Sequence, residues 1–359
     1  MRAWRSAARS LSSARSLEPA VHRVEMVEDF PEALVVRVEA SIDGIEPPLD
    51  GGELSTEEFD ELLVFRRLPS RESLLYAASR GGSSVDEQIR YSRRVHAIDP
   101  QPAFFIPDGA RFVSTESTRG PWSPEYQHGG PPAALLLRAM ERVAGDGMLL
   151  CRFTVDFLRP VPLAPLAATA EVVRAGNKVR RLQGTLATAD GTVLLQASAV
   201  ALRTASVLPT SLGDDETPPP PVETAAPFYF HFFPHPVGYQ TAIEARLGRG
   251  TWGKGAVAMW MRSRVPLVDG EATSPLQRLL IVADSASGCA VVLEPAHHTF
   301  VNADLTVSIH RPPDGEWICL DGATTVEAHG VGLTRARLWD AGGPVGVSLQ
   351  TCLVDRRAK

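Results

Sequence analysis

The sequence predicts an α+β protein made of two copies of one helix-and-antiparallel-sheet unit. Three observations carry that prediction: one order of elements occurs twice, a fixed offset relates the two occurrences, and a proline-rich segment separates them. The repeated order is an apolar helix, a strand, an Arg-Pro turn and then three more strands. Arg159-Pro160 and Arg311-Pro312 are 152 residues apart, and so are Asp190-Gly191 and Gly342-Gly343, Thr154 and Thr306, and Leu186 and Leu338. Two units at this spacing mean a duplicated domain rather than a solenoid.

In the first unit, strand-like Ala110–Ser114 leads through Arg119-Gly-Pro-Trp to Gln127-His-Gly-Gly-Pro-Pro, a turn into a helix whose first turn tolerates proline. Ala133–Val143 is apolar almost all round, interrupted chiefly by Arg138 and Glu141, which predicts a buried helix. Strands are expected over Cys151–Leu158, Ala167–Arg174, Lys178–Ala187 and Val193–Leu202. Gly213–Pro221, ending in four prolines, forms neither helix nor central strand and reads as an extended surface connection. Beyond it come a strand over Ala256–Ser263, a helix from Pro275 through Ala286, and strands over Phe300–Ile309, Trp317–Glu327, Gly332–Trp339 and Val345–Val354. The expected boundaries are 101–207 for the first domain, 208–226 for the linker and 227–359 for the second domain.

Residues 1–24 read as a flexible tail. Arg2, Arg5, Arg9 and Arg15 lie among serines with no acid before Glu18, a composition that also suits a transit peptide but lacks the apolar core of a secretory signal. Residues 25–100 form an N-terminal extension to which the sequence assigns no function. A strand is expected over Val35–Ala40, and Ser55 with Glu58 forms a capping-box pattern predicting a helix through Phe59, Leu62, Leu63 and Phe65.

With 44% hydrophobic and 22% charged residues the chain has the composition of a soluble globular protein. A net charge of −6 and a pI near 5.9, with no dominant basic face, argue against nucleic acid as the partner. No apolar run reaches the length of a membrane span. Cys151, Cys289, Cys319 and Cys352 are scattered, without CxxC or metal spacing, and suit a reducing, cytoplasmic setting. His297-His298 has no third ligand at metal spacing, so no metal is assigned.

Asp284 stands out in the second unit because it follows Leu279-Leu-Ile-Val-Ala on a helix with little exposed surface. A buried carboxylate needs a raised pKa or a hydrogen-bonded partner, and either suits a general base beside a pocket. Its plain structural reading is a helix end, signalled by Ser285, Ser287 and Gly288. Alternation puts Gln350 on the face opposite Leu349 and Leu353, which by periodicity alone is the solvated face of a half-buried strand. Gly129 and Gly130 before the first helix allow close approach of backbone to ligand, and helix N-terminal amides stabilise an oxyanion. A tight turn needing positive φ explains them equally well. His128 is either a ligand contact or a structural residue of that turn. The shape of a pocket is expected to depend on Phe157, Met259, Trp260 and Trp317.

Arg119-Gly-Pro-Trp-Ser-Pro, His128-Gly-Gly-Pro-Pro-Ala-Ala, Asp156-Phe-Leu-Arg-Pro-Val-Pro-Leu, Leu280-Ile-Val-Ala-Asp-Ser, His310-Arg-Pro and Val347-Ser-Leu-Gln recur in order and spacing in a known family. Over residues 104–356 or so, the chain resembles the TesB-like (type II) acyl-CoA thioesterases. The resemblance implies a tandem (double) hot-dog fold: two long helices, each wrapped by an antiparallel sheet, the sheets joining into one. It also implies hydrolysis of a fatty acyl-CoA to free acid and CoA, a role in lipid metabolism. The CoA moiety belongs to the substrate, so no separate cofactor is expected. In that family, water attacks the thioester carbonyl with help from an Asp, a Gln and a Thr or Ser. The Asp falls on Asp284, the Gln on Gln350, and the hydroxyl residue near Asn302. Asn302 is a departure, because an amide orients a water but cannot take its proton. The substrate-binding set is His128, Gly129 and Gly130.

Asn302 keeps open a non-catalytic acyl-CoA-binding protein on the same fold. A hot-dog hydratase is disfavoured because no His follows Asp284 within ten residues, and no GxSxG elbow supports a Ser-His-Asp hydrolase. Homo-oligomerisation through sheet or helix faces stays open. The 152-residue offset pairs Asp284 with Pro132, Gln350 with Ser198 and Asn302 with Leu150. One site per chain is therefore expected, built from the second unit and completed by the first.

Overall fold

Thr154 and Thr306, counterparts under the repeat, face each other in neighbouring antiparallel strands with their hydroxyls 3.1 Å apart. A residue opposite its own counterpart marks the axis relating two halves of a duplication. The computed structural model describes residues 101–208, 217–230 and 232–357 in full. It also describes the backbone of β1 (Ala20–Asp29), β2 (Ala33–Ser41), β3 (Phe59–Arg66) and β4 (Leu75–Ala77). The chain divides into two units, Met1–Tyr91 and Ser92–Lys359.

In the N-terminal unit β1–β4 form an antiparallel sheet in sequential order. The strand expected at Val35–Ala40 is β2. The helix expected through Phe59, Leu62, Leu63 and Phe65 is instead β3, whose whole length pairs with β2. Sheet pairing has overridden a local helix signal there, and the capping pair Ser55 and Glu58 lies outside the described residues. β1 begins at Ala20, inside the expected tail; residues 1–19 also lie outside the described set.

The second unit carries β5 (Phe105–Asp108), β6 (Arg111–Ser114), β7 (Met148–Phe157), β8 (Pro165–Ala175), β9 (Val179–Thr188) and β10 (Val193–Arg203) in its first half. Its second half carries β11 (Ala226–Phe228), β12 (Ile243–Gly250), β13 (Val257–Ser263), β14 (His298–Asn302), β15 (Asp304–Ile309), β16 (Ile318–Val326), β17 (Val331–Asp340) and β18 (Gly343–Arg356). Among the described residues these form one sheet in the order β11-β12-β13-β16-β17-β18-β15-β7-β10-β9-β8-β6-β5, with β14 also paired to β18. The order is palindromic about the β15–β7 junction, so the two half-sheets join into one. The strand expected over Phe300–Ile309 is split at Ala303 into β14 and β15, and β11 and β12 carried no recognised sequence signal.

Each half-sheet packs on a helix. α1 (Gly130–Ala144) lies against β7–β10, and its Ala133–Leu137 and Met140 are fully or almost fully buried. A short α2 (Tyr239–Ala242) precedes α3 (Pro275–Ala283), which lies against β13 and β16. α4 (Ala286–Cys289) follows after a break. The fold is thus a tandem hot-dog, with the helix expected to run through Ala286 ending at Ala283.

Two of the three charged residues of α1, Arg138 and Glu141, tie it to the segment that leads into α3 and to the start of that helix. Arg138 holds Glu271 through Nε at 2.7 Å and an NH2 group at 2.5 Å. Glu141 accepts Ser274 Oγ at 2.7 Å and Gln277 Nε2 at 2.6 Å, reinforcing the Ser274–Gln277 capping box of α3. A carboxylate there also complements the positive end of α3. Burial raises the Glu141 pKa despite those bonds. Since the C-terminal half of α1 meets the start of α3, and Gly130 meets its end, the helices run antiparallel.

The repeat offset holds for the strands but fails for the helices. α1 and α3 begin at Gly130 and Pro275, 275 − 130 = 145 residues apart. Asp284, at the end of α3, is therefore not the counterpart of Pro132, at the start of α1.

Candidate active site

Asp284 caps the C-terminus of α3 in helical conformation and is 5% exposed. Its carboxylate has partners on both oxygens. Asn302 Nδ2, on β14, donates to Oδ1 at 2.9 Å and to the Asp304 carbonyl at 3.1 Å. Gln350 Nε2, on β18, donates to the Asp284 carbonyl at 2.9 Å and reaches Oδ1 at 3.4 Å. Its Oε1 accepts the Ser287 N–H at 3.0 Å. Gln350 therefore spans the break between α3 and α4, using a carbonyl and an amide that a continuous helix would have consumed itself.

Gln350 is fully buried, contrary to the solvated face that periodicity suggests. The alternation itself is as expected; the faces are reversed. Ser348, Gln350 and Cys352 point inward, while Val347, Leu349 and Leu353 lie 44–64% exposed on the outer face with Val331 and Leu333. An apolar outer face defeats any inference of burial from hydrophobicity alone.

On the other carboxylate oxygen, His128 Nδ1 lies 3.2 Å from Asp284 Oδ2. The Gly130 N–H donates to the same nitrogen at 3.2 Å. Burial lowers the His128 pKa, outweighing the neighbouring carboxylate, so the ring is neutral at neutral pH and carries one proton. The ring stacks on Tyr239 with centroids 3.8 Å apart and planes 2° from parallel. Tyr239 in turn donates to the Ile281 carbonyl at 2.8 Å and meets Ser285 Oγ at 2.8 Å. Tyr239 carried no sequence signal; it lies on a four-residue helix beyond the linker.

Gly129 and Gly130 are required by space. Gly129 has φ −67°, so the positive-φ turn is not its reason. A Cβ there would lie 2.7 Å from the Phe157 ring and 2.9 Å from Asp284 Oδ2; at Gly130 it would lie 2.1 Å from the Ile281 carbonyl. The start of α1 thus abuts the carboxylate. Its positive end favours a negative charge, while the C-terminal end of α3, where Asp284 sits, opposes one. Pro131 and Pro132 remove two first-turn N–H groups, and the Gly130 N–H is taken by His128 Nδ1.

All six sequence-chosen residues, Asp284, Gln350, Asn302, His128, Gly129 and Gly130, thus meet at one point. The expected pocket residues divide. Phe157 is at the site beside Gly129, and Met259 is in the core. Trp260, the next residue on β13, faces the other side of the sheet, donates Nε1 to the Pro220 carbonyl and clusters with Val222, Cys319 and Trp339 against Trp317. Strand alternation separates neighbours in this way, and the later part of the proline-rich segment covers that outer cluster.

The six residues thus form a buried acid–amide–imidazole cluster between the end of one helix and the start of the other in a tandem hot-dog. The model of an acyl-CoA thioesterase N-terminal domain matches residues 118–203, and that of an acyl-CoA thioesterase C-terminal domain matches residues 213–354. The chain belongs to the TesB-like acyl-CoA thioesterase family. Among solved structures, the acyl-CoA thioesterase II TesB2 of Mycobacterium marinum is 19% identical, with 64% of this chain and 90% of that one covered and a TM-score of 0.51. A hot-dog protein of unknown function from Alicyclobacillus acidocaldarius is 22% identical, covering 71% and 96%, with a TM-score of 0.53. The tesB protein of Mycobacterium avium subs paratuberculosis is 16% identical, covering 74% and 98%, with a TM-score of 0.51. At these identities the likeness concerns the fold. No curated protein matches the sequence at a significant level. Among the described residues, no helix is long and apolar enough to cross a membrane.

Proposed function

We propose that this protein hydrolyses acyl-CoA thioesters, with Asp284 as the general base. The observation that carries the reading is the buried Asp284 carboxylate, met by amide donors on one oxygen and by an imidazole on the other. Asp284 takes a proton from water as that water attacks the thioester carbonyl. The carbon–sulfur bond then breaks, the electron pair leaves with sulfur, and the proton held by Asp284 returns to the CoA thiolate. The products are the free acid and CoA. The Gly129 N–H, at the start of α1, suits the developing oxyanion, as a preorganised donor at a helix N-terminus does.

Asn302 has a positioning role in this scheme. Its two N–H groups are engaged by Asp284 and Asp304, leaving Oδ1 to accept a hydrogen from the attacking water. Replacing the family's hydroxyl by an amide therefore keeps an acceptor facing the water and leaves the proton transfer to Asp284.

Asp284→Asn tests the reading. Losing a positioned base costs about 10²–10⁴ in rate, so kcat/KM for thiol release should fall by that factor while the fold, followed by circular dichroism, persists. Hydrolysis unchanged in this variant would move the base elsewhere. Absence of hydrolysis by the wild type with any acyl-CoA, alongside tight acyl-CoA binding, would favour the binding-protein alternative.

A further inference from the structure

Tyr239 touches both sides of the contact between His128 and Asp284. Its ring lies on the imidazole of His128, centroids 3.8 Å apart and planes 2° from parallel. Its hydroxyl donates to the Ile281 carbonyl at 2.8 Å and lies 2.8 Å from Ser285 Oγ. Ile281 is in the last turn of α3 and Ser285 follows Asp284, so the phenol grips the stretch of chain that carries the carboxylate. A single stiff side chain with two rotatable bonds therefore links the imidazole to the helix end bearing its partner. Tyr239 is only 1% exposed, so it has no free surface from which to meet a substrate.

The two rings also hang from adjacent points of the chain. The Tyr239 N–H donates to the Arg119 carbonyl at 2.9 Å, and the His128 N–H to the Thr118 carbonyl at 2.7 Å. The Arg119 guanidinium returns to the Val237 carbonyl at 3.1 Å, tying the segment before α2 to the segment before α1. Phe104 and Phe233 each stack on Tyr239 at 6.4 Å between centroids, which keeps the phenol from swinging away. His128 needs such a restraint. The outer torsion of a histidine has a broad, roughly two-fold preference, so the bond geometry alone does not fix the ring plane. The Gly130 N–H holds one edge of the imidazole, at Nδ1, and the phenol holds its face.

We infer that Tyr239 is a positioning residue for the hydrolysis: its ring sets the plane of His128, and its hydroxyl sets where that ring stands relative to Asp284. This rests on the hydrolytic reading. Tyr239 acts through His128, which lies 3.2 Å from Asp284 Oδ2 and so limits where that oxygen can sit. Burial leaves the imidazole neutral, and two neutral aromatic rings stack favourably in an apolar setting. Without the phenol the imidazole can turn about its outer torsion, and the carboxylate loses its fixed neighbour.

The test is a double-mutant cycle on the full chain, with thiol release followed on whichever of acetyl-, octanoyl- and palmitoyl-CoA the wild type cleaves best. Misplacing a base by about 1 Å costs up to about a hundredfold, so Tyr239→Leu should lower kcat about tenfold or more with KM within about twofold. Tyr239→Phe keeps the ring and loses only a hydrogen bond, so kcat should return to within about threefold of wild type. In a His128→Ala background, Tyr239→Leu should cost less than about twofold further, because a residue acting through another has nothing left to act on. Equal losses of kcat in both backgrounds, a loss carried by KM, or a Phe variant no better than Leu would overturn the inference. If Tyr239→Leu does not fold, NMR of the wild type labelled in histidine decides. The His128 ring protons, identified by their loss in His128→Ala, should form one set shifted upfield by the facing phenol; unshifted or averaged signals sink the idea. If the wild type cleaves no thioester, the hydrolytic reading fails by itself, and those spectra alone show whether Tyr239 holds the imidazole.

Discussion

Gln350→Ala separates a residue that acts on substrate from one that acts through Asp284. The structure makes Gln350 a clamp: Oε1 takes the Ser287 N–H at 3.0 Å and Nε2 gives to the Asp284 carbonyl at 2.9 Å, in a fully buried setting. Truncation leaves one backbone donor and one backbone acceptor unpaired. Each buried orphan costs about 1–3 kcal/mol, so the variant should lose about 2–6 kcal/mol, toward the low end if water enters the gap. Against a typical total of about 5–15 kcal/mol, the shift is large. Urea unfolding followed by tryptophan fluorescence should show a lower midpoint with an unchanged slope. Under folded conditions kcat should fall about a hundredfold with KM little changed, the expected cost of misplacing a base by about 1 Å. A stability within about 0.5 kcal/mol of wild type would refute the clamp. Rate loss equal to that of Asp284→Asn at unchanged stability would assign Gln350 to the water or the thioester.

Three further outcomes follow from the same geometry. Gly129→Ala places a methyl against Asp284 Oδ2 and the ring edge of Phe157, side-chain atoms that can shift; kcat should fall at least about tenfold while stability drops by about 1 kcal/mol, read by thermal melting with activity assays. Gly130→Ala meets the Ile281 backbone instead, which cannot step aside, and should cost about 3 kcal/mol or more in urea unfolding because α1 and α3 must separate. At Asp340, burial alone would raise the pKa, but Arg311 at 2.6 and 2.7 Å and the Asp314 and Gly342 amides outweigh it and hold it below the usual carboxylate range. Its stabilisation is therefore complete above the unfolded carboxylate pKa and is lost as pH falls through the lower folded value. Acid unfolding below about pH 4 should be steeper in wild type than in Asp340→Asn.

What the sequence reveals is what local rules determine. Period-two alternation and Arg-Pro turns locate β7–β10 and β15–β18, and the turns are recognisable because Arg159 and Arg311 each reach back to the hairpin that follows, to Val193 and Asp340 respectively. Non-local choices are not visible in the same way. Phe59–Arg66 has a helix-start pattern and becomes a strand because β2 is there to pair with it. The placement of Gln350 was legible as alternation but not as burial, since Leu349 and Leu353 are on the outer face. Tyr239 was invisible: its importance lies in stacking on a histidine 111 residues earlier in the chain, at 3.8 Å, a contact no sequence window contains.

The asymmetry between the halves comes from where a helix stops. α1 runs fifteen residues and its backbone groups satisfy one another, so an acid in its middle would find no partners but side chains. α3 stops after nine residues, and the break frees the Asp284 carbonyl and the Ser287 amide. Those two groups give one glutamine side chain a reason to sit inside the sheet, and that glutamine then lies beside the carboxylate it helps hold. The same early stop leaves the fourteen residues 284–297 between α3 and β14. The carboxylate oxygens themselves are met by side chains, Asn302, Gln350 and His128, and the break is what brings Gln350 among them. Lengthening α3 through Asp284 by substitution of Ser285 and Ser287 with helix-favouring residues should therefore unseat Gln350 and lower thiol release together, read by urea unfolding and activity assays.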